Sequence, residues 1–71
     1  MIDSQRQEIL RLLGQLSELA PDYRFGQMIA NLSYMASGPT TEAIWDMEDD
    51  QLLAAIKKHI DSLSKRAADV A

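Results

Sequence analysis

An all-α fold, a compact antiparallel three-helix bundle with a short irregular or helical bridge before its last helix, is what this sequence predicts. Three observations lead there. Three segments repeat apolar residues at i, i+3, i+4 spacing; no segment alternates apolar and polar residues as a strand does; and the breaks carry Pro21 and the run Ser37-Gly38-Pro39-Thr40-Thr41. Residues 1–71 read as one domain, with helices over about 4–19, 23–36 and 48–66.

In the first helix Asp3 or Ser4 can serve as N-cap, and Ile9, Leu10, Leu12, Leu13, Leu16 and Leu19 form the apolar set. At about 100° per residue these six span an arc of about 180°, wider than the roughly 100° stripe of a simple surface helix, so both flanks call for cover. Gly14 lies opposite the stripe, where it either weakens the helix or admits a close neighbour. Pro21 ends the segment by disfavouring helical geometry at Ala20.

Asp22 is the expected N-cap of the second helix, which places Phe25, Met28, Ile29, Leu32, Met35 and Ala36 on one face of about 120°. Arg24, Gln27, Asn31 and Tyr34 line the adjacent face, and Gly26, Ala30 and Ser33 make a strip of small side chains where another helix or a second copy can come close. Residues 42–45 are expected to form a turn of helix or an irregular bridge that lays Ile44 and Trp45 onto the core. In the third helix, capped by Asp46, Glu48 or Asp49, the seam Leu53, Ile56, Ile60, Leu63, Ala67 and Val70 alternates steps of three and four. It lasts under three heptads, which suits a partner helix in the same small bundle.

Size and composition exclude several functions. A domain this short buries only about 60% of the surface its unfolded chain exposes. Without cysteine there is no disulfide framework, and no apolar run approaches the roughly 20 residues of a membrane span, so a soluble cytoplasmic setting with no membrane association is expected. Eleven acidic against seven basic residues give a net charge of −4, which disfavours nucleic acid as a partner. Lys57, Lys58, Lys65 and Arg66 fall late in the last helix, where cations complement its dipole.

Asp46, Glu48 and Asp50 have the first spacings of a calcium loop, but Gln51 stands where that loop needs glycine and Lys57 where it needs a bidentate glutamate. No metal or cofactor is expected. His59, the only histidine, flanks the third seam without an identifiable catalytic partner, and carboxylate pairs such as Glu18 with Asp22 are ordinary on charged helix faces. Catalysis is not expected.

The polar residues of interest are Arg24, Gln27, Asn31, Tyr34, Trp45, Asp46, Glu48 and Asp49. In one reading they lock helices together: Arg24 pairs with Asp46, Glu48 or Asp49, and Gln27 and Asn31 hydrogen-bond the backbone around residues 42–48. In the other, Arg24, Gln27 and Asn31 form a recognition surface with Tyr34 and Trp45, since Arg, Tyr and Trp are enriched at binding hot spots.

Pro21-Asp22-Tyr23-Arg24-Phe25-Gly26-Gln27-Met28-Ile29-Ala30-Asn31 and the later block Ile44-Trp45-Asp46-Met47-Glu48-Asp49-Asp50-Gln51-Leu52-Leu53 resemble two blocks found in that order in a group of short uncharacterised bacterial helical proteins. The likeness covers residues 21–53 and implies a bacterial, cytoplasmic protein; it implies no activity. Where the group often has a Phe-Tyr pair before the acidic run, this chain has Trp45-Asp46. The expectation is therefore a small helical interaction or regulatory module whose partner is an unidentified protein or its own copy, with a helix-turn-helix-like DNA-associated regulator as the alternative.

Overall fold

Apolar periodicity becomes four helices in the computed structural model, which describes residues 3–70 and the side chains of residues 3–66: α1 Ser4–Leu19, α2 Phe25–Ser37, α3 Glu42–Asp46 and α4 Asp49–Val70. No strand occurs among the described residues. α1 and α2 each pack on α4, and α3 packs on α2. At about 1.5 Å per residue α4 is about 33 Å long, which accounts for most of the 38 Å long axis and for a radius of gyration of 12.4 Å.

The core is one cluster of Ile9, Leu12 and Leu16 from α1, Met28 and Leu32 from α2, and Ala55 and Ile56 from α4. Leu16, Leu32 and Ile56 have no exposed surface. Leu13, Ala36, Leu52, Leu53, Ile60 and Leu63 close around it half-buried. Ser17 Oγ donates to the Leu13 carbonyl at 3.0 Å and lies 4.0 Å from Met28 Sδ, at the place where α1 meets α2.

The wide buried arc belongs to α4 and not to α1. On α1 the covered apolar residues Ile9, Leu12, Leu13 and Leu16 span only about 100°, and the two edge leucines remain out, Leu10 54% and Leu19 41% exposed. On α4 the covered apolar residues run from Leu53 and Ile60 through Ile56, Leu63 and Leu52 to Ala55, an arc of about 160°. The reason is topological: α4 is packed by two helices and α1 chiefly by one. The outer seam positions Ala67 and Val70 lie outside the described side chains.

Helix boundaries follow from their caps. Asp3 Oδ1 accepts from the Arg6 N–H at 2.9 Å and starts α1. Asp22 does not cap α2. A Tyr23 N–H to Ala20 carbonyl bond of 3.2 Å holds residues 20–23 in a turn, so the chain enters the helix two residues later, through extended Arg24. Gln27 Oε1 then accepts the Arg24 N–H at 3.1 Å, and Gln51 Oε1 likewise accepts the Glu48 N–H at 2.8 Å before α4. Both helices thus use the returning half of a capping box, supplied by a glutamine three residues in. The Tyr23 ring lies nearly parallel to His59, centroids 6.4 Å apart, and ties the α1–α2 turn to α4.

These placements set two stability expectations. Ile56→Ala should cost about 2–5 kcal/mol, a large share of the roughly 0.05–0.15 kcal/mol per residue that holds a small domain, whereas Leu10→Ala should cost less than about 1 kcal/mol. Urea denaturation followed by circular dichroism separates the two as a fall in midpoint. A Cβ built on exposed Gly14 meets nothing within 4 Å, so Gly14→Ala should raise stability by about 0.5–1 kcal/mol in the same measurement.

Candidate functional site

The sharp corner between α2 and α3 is built by its own loop. Gly38 takes φ of +115° with ψ of −175°, a conformation that only glycine adopts without strain, and its N–H donates to the carbonyls of Ser33 and Tyr34. Pro39 cannot continue the helix. Two turn bonds, Ala43 N–H to the Thr40 carbonyl and Ile44 N–H to the Thr41 carbonyl, then start the single turn of α3.

α3 folds back onto α2 through the smallest side chains available. Ala43 and Ser33 are both buried, so the strip of small residues on α2 seats α3 at its C-terminal end, while Gly26 and Ala30 stay exposed. Here the expectation that Ile44 and Trp45 lie on the core fails. On a helix Trp45 points about 200° away from Ala43, so once Ala43 faces α2 the indole must face out. Trp45 is 88% exposed and Ile44 44%.

Between α2, the loop and α3 lies an open cleft of about 350 Å³. Asn31, Tyr34, Thr40, Thr41 and Ile44 are on its walls, with Ala30, Ser33, Gly38 and Pro39. Tyr34 is 63% exposed, and Ser33, only 2% exposed, has an Oγ without a hydrogen-bond partner. The cleft walls hold no carboxylate, amine or imidazole. Among the described residues no group of three or more His, Cys, Asp or Glu is placed to hold a metal ion, and no helix is long and apolar enough to cross a membrane.

The residues singled out from sequence divide into three sets. Asn31 and Tyr34 meet at the cleft, with Trp45 beside it on α3. Arg24 and Gln27 are engaged in starting α2 through backbone and amide, and the Arg24 guanidinium makes no ion pair among the described residues. Asp49 pairs with Arg6 of α1 at 3.6 Å and not with Arg24, while the side chains of Asp46 and Glu48 are exposed and have neither an ion pair nor a hydrogen bond there. Sequence reasoning laid Ile44 and Trp45 onto the core and read Thr40 and Thr41 only as part of a break; for Trp45 the signal was available in its separation of about 200° from Ala43 on a one-turn helix.

No protein-family model matches this chain, and comparisons with curated proteins and with solved structures give no match. The site is therefore described by its own chemistry: an aromatic and aliphatic corner beside a neutral cleft.

Because the Arg24 side chain holds no ion pair, Arg24→Ala should shift stability by less than about 0.5 kcal/mol. Gln27→Ala removes the acceptor for the Arg24 N–H and should cost about 0.5–1 kcal/mol. Thermal melting of the two variants side by side distinguishes this from a helix lock centred on Arg24, which would give the larger loss to Arg24→Ala.

Proposed function

We propose that this chain is a small, non-catalytic interaction module that binds another protein through the α2–α3 corner. The observation that carries this reading is Trp45, 88% exposed on a helix whose buried neighbour, Ala43, fixes its outward direction. Leaving an indole in water forgoes much of the roughly 150–250 Å² it can bury, and Trp and Tyr are the residues most enriched among binding hot spots. Ile44 and Tyr34 extend the same corner into the cleft.

The scaffold fits that role. We read α1, α2 and α4 as an antiparallel three-helix bundle and α3 as the helical bridge that displays the surface. Residues 21–53, which carry the likeness to short bacterial proteins, include all of α2 and α3, and we place the chain with them in the bacterial cytoplasm. A non-enzymatic role is supported by the cleft, where tyrosine is the only titratable side chain. A DNA-associated role finds no support in the charge: residues 25–56 contain Glu42, Asp46, Glu48, Asp49 and Asp50 and no Lys, Arg or His.

Affinity capture of the tagged chain from cells of its source should yield a stoichiometric second protein, with Trp45→Ala and Tyr34→Ala each reducing capture at least about tenfold at unchanged melting temperature. A light-scattering mass of a bare monomer or homo-oligomer with nothing bound would overturn the reading.

A further inference from the structure

The distribution of charge around Trp45 specifies the chemistry of the partner segment. Around the axis of α3, with Ala43 facing α2, Ile44 lies about 100° to one side, whereas Asp46 and Glu42 lie about 60° and 100° to the other. Trp45 forms the crest between them, nearly opposite Ala43. One flank of the crest is apolar, and Ile44 leads from it into the cleft; the other carries two carboxylates at i, i+4 spacing. α3 is only about 7.5 Å long, so both flanks fall within the footprint of one short peptide segment.

Glu42, Asp46 and Glu48 are exposed and unpaired among the described residues, and residues 25–56 contain no cation that could neutralise them. Ser33, on the cleft wall, adds a buried hydroxyl without a partner. We propose that the α2–α3 corner binds a basic amphipathic segment of a second protein, which seats an apolar side chain in the cleft and sets Lys or Arg over Trp45 and against Glu42, Asp46 and Glu48. The indole face contributes cation–π attraction to the same cations that the carboxylates hold. This proposal rests on the interaction-module reading and narrows it to one class of partner.

A second copy of the chain is the poorer fit. Of its seven cations, Arg6 and Arg11 already pair with Asp49 and Glu8, and Lys57, Lys58, Lys65 and Arg66 stand on α4 beside alanine and polar side chains, with no large exposed apolar residue to enter the cleft. Arg24, beside exposed Phe25, is a single cation against the three carboxylates of the corner. Two copies facing each other through this corner would oppose like charges.

The test replaces Trp45 with the photo-cross-linker p-benzoylphenylalanine, with Leu10 on α1 as the control position, in cells of the source organism. Both sites are solvent-exposed, and circular dichroism of each variant checks that the fold is intact. Irradiation should join position 45, and not position 10, to a peptide in which Lys and Arg outnumber Asp and Glu and an apolar residue lies within one helical turn. A synthetic copy of that peptide should bind the wild-type chain in calorimetry, and Glu42→Gln/Asp46→Asn/Glu48→Gln should weaken it at least about tenfold at low salt, with the difference shrinking as salt rises. An acidic or neutral cross-linked peptide, a second copy of this chain, or binding unaffected by the triple change overturns the proposal and leaves the module reading standing. A partner that is captured but cross-links at Leu10 instead does the same. No cross-linked or captured protein at all removes both.

Discussion

Everything in this fold depends on Ile56 being covered from two sides. It sits fully buried in the cluster to which α1 brings Ile9, Leu12 and Leu16 and α2 brings Met28 and Leu32. Neither α1 nor α2 has enough covered surface of its own to form a core without α4, because each presents a stripe of about 100° and stripes of that width need a partner. α4 answers with an arc of about 160° that Ala55 widens at one edge: an alanine there adds little volume and lets a neighbouring helix lie close. The pairing of α1 with α4 also joins distant parts of the chain, so the core is complete only with α4 in place.

With the core committed to α4, several large apolar residues of α2 and α3 are left at the surface. Tyr34 and Trp45 are 63% and 88% exposed and Met35 and Ile44 40% and 44%, whereas the residues of the α1–α2–α4 cluster are buried. A chain of this size has too little surface to bury both sets. The direction of the corner is set by small groups: the Gly38 conformation, the Pro39 break, and the burial of Ala43 where α3 packs on α2. The exposed aromatics therefore stand on a turn whose direction is fixed rather than on a free loop, which lowers the ordering cost of binding.

Much of this was legible in the sequence, and the failures share one cause. The apolar spacing of Ile9, Leu12 and Leu16, and of Met28 and Leu32, identifies the core faces because period 3.6 survives any arrangement of neighbours. What periodicity does not carry is how many neighbours each helix has, so Leu10 and Leu19 look as buried as Leu16, and Ala55 looks like surface. Asp22 misleads because capping propensity is local while the Ala20–Tyr23 turn decides where the chain enters the helix. Trp45 misleads in the opposite way: hydrophobicity argues for burial, but on a single turn only one side can face in, and the smaller Ala43 takes it. Arg24 makes no ion pair with the acidic run among the described residues, because opposite charges far apart in sequence identify no partner; Arg6 reaches Asp49 instead.

Trp45 is the only tryptophan, and its ring stands in water when the chain is folded. Its surroundings are therefore nearly the same before and after unfolding, so its ultraviolet emission should barely register loss of the fold. Covering the α2–α3 corner would instead move the indole into an apolar medium and shift that emission to the blue. In most small domains intrinsic fluorescence reports on the state of the core; in this one it reports on occupancy of the surface.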